Sequence, residues 1–149
     1  MINFIWNPRR LLKKSPLKEE MTIVDYGCGS GRYTRYIAKL AGPKGRVFAV
    51  DIHQLAIKTI KETAASENLT NIVTILVDFY NTGIPGSITD LVLLIDTLHL
   101  INDYHALFRE IHRILEPNGT LFMDPGHMKM SIAREIVEHT NLFKIVGCR

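Results

Sequence analysis

The chain has 149 residues, of which 46% are hydrophobic and 22% are charged, and its formal net charge is +3. This length is typical of one domain, and the composition excludes a disordered or fibrous chain. The longest aliphatic run, residues 91–95, is too short to cross a bilayer, and the short N-terminal apolar stretch does not resemble a signal peptide. With only two cysteines, Cys28 and Cys148, we expect reduced thiols and a cytoplasmic protein without a membrane span.

The whole net charge lies at the N-terminus. Residues 1–20 hold five basic and two acidic side chains, whereas the rest of the chain holds 13 of each. We therefore divide the chain into a basic arm, residues 1–20, and a folded domain, residues 21–149. The arm could contact RNA or another anionic acceptor, but a solvated segment leading into the first strand is the simpler interpretation.

From residue 22 onward, short β-branched runs alternate with stretches of helical periodicity. The predicted strands are residues 22–26, 46–50, 72–77, 90–95, 120–123 and 143–147. The predicted helices are residues 32–40, 54–68, 104–115 and 131–140, and one helical turn is possible within 79–84. Alternation of this kind, with strands that are almost continuously apolar, predicts an α/β fold whose parallel sheet is covered by helices on both faces.

Polar residues gather where the predicted strands end, which is the edge at which parallel sheets bind ligands. An aspartate lies at or just after the end of five successive strands: Asp25, Asp51, Asp78, Asp96 and Asp124. Each alone is explained as a turn former or helix cap. Five at one edge create a negative potential, which favours a positively charged ligand over a dinucleotide with its pyrophosphate.

A glycine-rich loop follows the first strand and leads directly into a helix. Its glycines are Gly27, Gly29 and Gly31, so the spacing is G-x-G-x-G. The dinucleotide fingerprint G-x-G-x-x-G requires a glycine where Arg32 stands. Glycines allow the backbone to approach a ligand closely, and the following helix N-terminus attracts a carboxylate or phosphate. The loop therefore predicts a ligand site but argues against a nicotinamide dinucleotide.

Five motifs in order resemble those of class I S-adenosylmethionine-dependent methyltransferases, with the ubiquinone/menaquinone-biosynthesis type as the nearest likeness. They are VDYGCGSG at 24–31, VDI at 50–52, VDF at 77–79, DLV at 90–92 followed by DTLH at 96–99, and LEPNGTL at 115–121. The resemblance covers residues 17 to about 147. It implies a three-layer αβα Rossmann-like fold with a mostly parallel sheet, and S-adenosyl-L-methionine as cofactor.

The resemblance also implies a role for individual residues. The loop, including Cys28 as a small residue, would hold the methionine part of the cofactor, with Asp25 near its amino group. Asp51 would accept hydrogen bonds from the ribose hydroxyls. The adenine would lie among Ile52, His53, Asp78 and Phe79. The segment from Asp96 to His99 would line the methionine side of the cofactor, with Asp96 as a cofactor-binding residue, and would open towards the acceptor.

The chain departs from the family pattern in two respects. The family sheet usually has a seventh, antiparallel strand, which this sequence lacks, so we expect its C-terminal edge to be frayed, rearranged or paired with another subunit in a homo-oligomer. The elements that cover the acceptor in relatives are also short here. An open acceptor site is expected to suit a large substrate or an oligomer interface.

Two histidines are candidates for a general base, which methyl transfer needs only when the nucleophile arrives protonated. His99 is the better placed, and His127 is second. Position at the sheet edge is the only support for His99, and a structural histidine bonded to the backbone is the competing interpretation. His105 and His112 lack an evident third ligand, so we expect no metal site.

The sequence therefore favours a methyltransferase that acts on an unidentified, small-molecule acceptor by in-line displacement. A catalytically inactive subunit that binds the cofactor is the alternative, since the missing strand and thin cap could reflect a lost acceptor pocket. A nucleotide-binding oxidoreductase is opposed by Arg32 and by the acidic edge. Transfer of an aminopropyl group is a minor fourth possibility.

Overall fold

A computed structural model describes residues 7–78 and 80–147 of the chain. Its strands are β1 (Thr22–Tyr26), β2 (Arg46–Asp51), β3 (Ile72–Leu76), β4 (Thr89–Ile95) and β5 (Leu115–Asp124). Their order across the sheet is β3-β2-β1-β4-β5, and every neighbouring pair is parallel. The predicted α/β fold with a parallel sheet is confirmed.

Five helices accompany the strands in the described part of the chain. They are α1 (Pro8–Leu12), α2 (Thr34–Ala41), α3 (Gln54–Ser66), α4 (Tyr104–Ile114) and α5 (Met130–Thr140), with a 3-10 turn at Leu98–Leu100. The longest, α3, has 13 residues. No helix within the described ranges is both long and apolar enough to cross a membrane.

The sheet is buried between two layers of helices. Ile23 and Val24 are successive residues of β1, so their side chains point to opposite faces of the sheet. Ile23 packs in a buried cluster with Ile37 of α2, whereas Val24 packs in another with Phe108 of α4. This alternation gives the three-layer αβα arrangement, with one core cluster on each face of the sheet.

The predicted strand at residues 143–147 is wrong, because residues 142–147 form neither strand nor helix. After α5, Asn141 adopts a left-handed conformation and turns the chain. Phe143 then packs edge-on against Phe108 of α4, with ring centroids 5.9 Å apart. Its apolar side chain is partly buried by helix packing instead of by strand pairing, so within the described residues β5 is an edge of the sheet.

The segment after β3 also differs from expectation. No helical turn forms among residues 80–84, and Phe79 lies outside the described residues. Tyr80 instead links two parts of the fold: its backbone carbonyl accepts a hydrogen bond from the Tyr26 hydroxyl, and its own hydroxyl accepts one from the Asp103 amide. These contacts hold the segment against β1 and the start of α4 without helical structure.

The described part of the basic arm is attached to the domain. The Asn7 side chain caps α1, and Leu12 at the end of that helix is only 2% exposed. The Arg9 guanidinium lies 5.1 Å from the centre of the Tyr36 ring, a cation–π arrangement. The arm thus packs on α2, and its treatment as a separate unit stays a prediction.

The contribution of the Asn71 side chain to the stability of the fold can be tested. Its side-chain amide donates to the carbonyls of Ala38 and Gly42, at 2.8 and 2.9 Å, and so joins the start of β3 to the end of α2. We expect Asn71→Ala to lower the free energy of unfolding by about 1–3 kcal/mol. Urea denaturation would measure this loss. The exposed Asn118 supplies the control, since Asn118→Ala should change stability by less than about 0.5 kcal/mol; equal losses would contradict the assignment.

Candidate functional site

The glycine-rich loop lies at the point where the strand order reverses. β1 has β2 on one side and β4 on the other, and in open α/β sheets ligands bind at the carboxyl ends of strands around such a point. The amides of Gly27 and Cys28 both donate to the Val50 carbonyl, at 2.8 and 3.0 Å. The loop is therefore anchored to β2 directly after it leaves β1.

Gly27 is packed against the end of β4. Its φ is +76°, and a Cβ at this position would lie 2.5 Å from both the Cγ2 and the Oγ1 of Thr97. Thr97 is itself held, because its hydroxyl donates to the Ile95 carbonyl at 2.9 Å. Thr97 was included in the sequence motif only as part of the segment 96–99. Nothing in the pattern indicated that its side chain would pack against Gly27 and so fix the position of the loop relative to β4.

Asp51 is bound by the backbone at both carboxylate oxygens. Oδ2 accepts from the Gly29 amide at 2.8 Å, and Oδ1 accepts from the His53 amide at 2.9 Å. The residue is only 8% exposed. Each carboxylate oxygen can accept more than one hydrogen bond, so the side chain is oriented and still able to receive hydroxyl donors.

Asp25 is more deeply buried, with 3% of its surface exposed. The Thr34 hydroxyl donates to its Oδ2 at 2.6 Å. Burial raises the pKa of Asp25 to about 6; the Thr34 hydrogen bond opposes this rise and the nearby Asp51 charge adds to it. Thr34, in the first turn of α2, was not singled out from the sequence, because a threonine on a buried helical face carries no sign of a polar partner.

The remaining predicted cofactor residues differ widely in exposure. Cys28 is buried, and burial, together with the charges of Asp25 and Asp51, raises the pKa of its thiol well above the usual range. It is therefore a neutral, small residue in the loop. Ile52 is 61% exposed, and His53 and Asp78 are exposed as well, so these side chains border the site without entering the core.

Asp96 organises the other half of the site. It has a left-handed backbone with φ of +48°, and its amide donates to the Asp124 carbonyl at 2.8 Å. Its Oδ1 lies 2.8 Å from Nδ1 of His127 and 3.5 Å from Nδ1 of His99. Partial burial acts to raise the pKa of Asp96, but the hydrogen bonds and charge of His127, with a smaller effect of His99, hold it below the usual range.

The structure thus brings together most of the residues singled out in the sequence. Gly27, Asp25 and Asp51 form one half, and Asp96 with His99 forms the other, with Thr97 between them. His127 joins Asp96 more closely than His99 does, although the sequence ranked it second. Their roles in binding and catalysis stay predictions.

The comparisons with known proteins agree with this architecture. Residues 17–145 match the family model described as "Methyltransferase domain". The chain is 27% identical over 115 residues to a demethylmenaquinone methyltransferase of Staphylococcus carnosus, which covers 77% of this chain and 46% of that protein. It is also 27% identical over 112 residues to (S)-coclaurine N-methyltransferase of Thalictrum flavum, covering 75% of this chain and 30% of the relative.

A solved structure shows the same fold. A SAM-dependent methyltransferase from Aquifex aeolicus superposes with a TM-score of 0.83 at 23% identity, covering 91% of this chain and 79% of that one. The chain belongs to the methyltransferase domain family, which confirms the resemblance found in the sequence. It spans less than half the length of the two curated relatives described above.

The contact between Gly27 and Thr97 can be tested with a matched glycine. Gly27 and Gly29 both have positive φ, but a Cβ on Gly29 would meet nothing within 4 Å. We expect Gly27→Ala to cost at least about 1–3 kcal/mol more than Gly29→Ala, because only the former combines backbone strain with overlap. Thermal or urea unfolding of both variants measures the difference. Adding Thr97→Ala to Gly27→Ala should restore part of the loss, and a failure to do so would show that the overlap is not its cause.

The buried Asp25 predicts a specific pH dependence of stability. Its pKa rises from 3.8 to about 6 on folding, so its contribution to stability is full below about pH 4 and is lost as the pH rises through 6. Asp25→Asn lacks this titration. We expect the variant to gain up to about 3 kcal/mol relative to the wild type between pH 4 and pH 7.5. Urea unfolding of both proteins at the two pH values measures it, and a constant difference would contradict the burial of a charge.

Proposed function

We propose that this domain binds S-adenosyl-L-methionine at the carboxyl ends of β1, β2 and β4 and transfers its methyl group to a small-molecule acceptor. The observation that carries the proposal is Asp51, whose carboxylate is oriented by two backbone amides and can still accept hydroxyl donors. The family match supports the reaction class, since residues 17–145 fit a methyltransferase domain.

The charges of the site fit this cofactor. Asp25, Asp51 and Asp96 place negative charge around the glycine loop, while S-adenosyl-L-methionine carries a sulfonium and an ammonium against one carboxylate. The space in front of Gly29, where a Cβ would have no neighbour within 4 Å, allows a ligand to approach the loop backbone. A dinucleotide with its pyrophosphate would be repelled by the same aspartates.

Different residues of the site bind different parts of the cofactor. Asp51 accepts the ribose hydroxyls, and the exposed Ile52, His53 and Asp78 border the adenine. Asp25 attracts the ammonium group, which favours its ionised form over the neutral form that burial favours. Phe79, assigned to the adenine by resemblance, lies outside the described residues.

When bound, the cofactor supplies an activated methyl group with a leaving group that needs no protonation. The protein's own contribution is then to position the acceptor, which is worth up to about 7–11 kcal/mol where alignment is good. His99 or His127 removes a proton when the acceptor is protonated, at about 10²–10⁴-fold in rate. Nδ1 of His99 and Nδ1 of His127 lie 3.5 and 2.8 Å from Oδ1 of Asp96, so both imidazoles are at the same strand end.

A small-molecule acceptor agrees with the names of the relatives, which are methyltransferases of demethylmenaquinone and of coclaurine. An RNA acceptor remains the second candidate, on the observation that the N-terminal arm carries Arg9, Arg10, Lys13, Lys14 and Lys18.

Association of two chains through the edge strand β5 is a further proposal. The half-buried Leu121, Phe122 and Met123 of that strand support it.

Asp51→Asn tests the cofactor site. The amide replaces one accepting oxygen with a donor, so the variant loses hydrogen bonds both to the loop and to the ribose. We expect isothermal titration calorimetry with S-adenosylmethionine and S-adenosylhomocysteine to show at least a tenfold loss of affinity, as for one hydrogen bond to a charged group of about 1.5–3 kcal/mol.

The control is Glu62→Gln, which changes an exposed carboxylate on α3 away from the loop. It should bind with wild-type affinity, and circular dichroism should show that both variants are folded. Unchanged affinity in Asp51→Asn, or tight binding of NADH by the wild type, would contradict the proposal. Methyl release from the bound cofactor, followed over a panel of acceptors, separates an active enzyme from a subunit that only binds.

A further inference from the structure

Two histidines and one carboxylate converge at the end of β4. One ring nitrogen of His99, one of His127 and a carboxylate oxygen of Asp96 all lie within 4.8 Å of one another, and all three residues are exposed. The histidines come from different elements, since His99 belongs to the 3-10 turn after β4 whereas His127 follows β5. Asp96 and His99 are three residues apart in sequence, and the fold brings His127 to them.

Two distances within the cluster are close to those between neighbouring ligands of one metal ion. Nδ1 of His127 and of His99 lie 2.8 and 3.5 Å from the same Asp96 oxygen. Ligands that are each about 2.0–2.2 Å from a metal are about 3.0–3.5 Å from one another when they occupy adjacent positions. A small movement of the His99 and His127 rings would therefore place an ion among the three atoms.

The backbone holds Asp96 in place for such a site. Its amide donates to the Asp124 carbonyl, and its Oδ1 accepts from the His127 amide at 3.2 Å. Gly126 lies so close to the Asp96 carboxylate that a Cβ there would overlap with it. The Asp124 side chain in turn accepts from the Gly126 amide at 2.8 Å. This network fixes the carboxylate and the loop that carries His127.

We infer that Asp96, His99 and His127 form a binding site for a divalent transition-metal ion, with Zn²⁺ as the best-matched probe. Imidazole nitrogen is a preferred ligand of zinc, iron and copper, whereas magnesium and calcium prefer oxygen. Two imidazoles with one carboxylate are three protein ligands, and sites with three leave further positions for water or a substrate oxygen. No metal site was expected from the sequence, since His105 and His112 lack a third ligand, and the sequence does not show that His127 meets Asp96 and His99 at the strand ends.

The position of the site gives the metal a role that rests on the proposed function. Asp96 and His99 flank Thr97, which touches the glycine loop, so a metal there would lie on the acceptor side of the cofactor. A hydroxyl oxygen bound to a divalent cation would lose its proton to water more readily, and it could then take the methyl group as the C–S bond of the sulfonium breaks and the thioether leaves, with no imidazole acting as base. The acceptor would then belong to the class of oxygen nucleophiles that can bind a metal.

The experiment measures Zn²⁺ binding to the complete protein by isothermal titration calorimetry, without cofactor. We expect one Zn²⁺ per chain in the wild type, and an affinity at least about tenfold lower in His99→Asn and in His127→Asn. Co²⁺ gives a second readout, because coordination by nitrogen ligands produces visible absorption bands. These bands should be lost in both variants.

His105→Asn is the matched control, since it removes an exposed histidine of α4 that is not a member of the cluster. It should keep wild-type Zn²⁺ affinity and the Co²⁺ bands. The inference is overturned if the wild type binds no Zn²⁺, or if all three variants bind it equally, which would indicate adventitious surface binding. S-adenosylhomocysteine binding is measured on the same proteins: Zn²⁺ binding that depends on His99 and His127 supports the site even where no cofactor binds, and the reverse result rejects the site while leaving the proposed function intact.

Discussion

The contact between the glycine loop and the end of β4 is the constraint on which the rest of the site depends. Gly27 leaves no room for a side chain because Thr97 fills the space that one would occupy. The two strands that this contact joins, β1 and β4, are the neighbours between which the sheet order reverses. Asp25 and Asp51 lie at the ends of β1 and β2, and Asp96 follows β4. The distance between Asp96 and the other two carboxylates therefore depends on this contact.

The aspartates at the strand ends are stabilised by different means, which explains how several can share one edge. Asp51 is satisfied by two backbone amides, Asp25 by the Thr34 hydroxyl, and Asp96 by the His127 amide and imidazole. Burial favours the neutral form of Asp25, whereas histidine contacts favour the charged form of Asp96. Each carboxylate therefore has its own hydrogen-bond donors, and several of them can lie at one edge of the sheet.

The sequence predicted the strand and helix order well because the signal is local. Apolar periodicity placed four of the helices within two residues at each end, and strand ends located the aspartates. The same apolar pattern gave a wrong prediction at residues 143–147. Their apolar residues are typical of a strand, but the segment packs on α4 through Phe143. Thr34 and the pairing of His127 with Asp96 could not be found, since both depend on which elements meet across the sheet.

The half of the site that is proposed to face the acceptor could be predicted from the sequence less well than the half that is proposed to bind the cofactor. The cofactor side is formed by β1, β2 and the loop between β1 and α2, which are near in sequence and joined by backbone hydrogen bonds. The acceptor side combines the turn after β4 with the loop after β5, and the two are held together by the Asp96 carboxylate and by the backbone bond from Asp96 to Asp124. A change at Asp96 therefore acts on both histidines at once, whereas a change at either histidine leaves the other in place. In the proposed function, recognition of the acceptor therefore depends on how this pair of loops is held together.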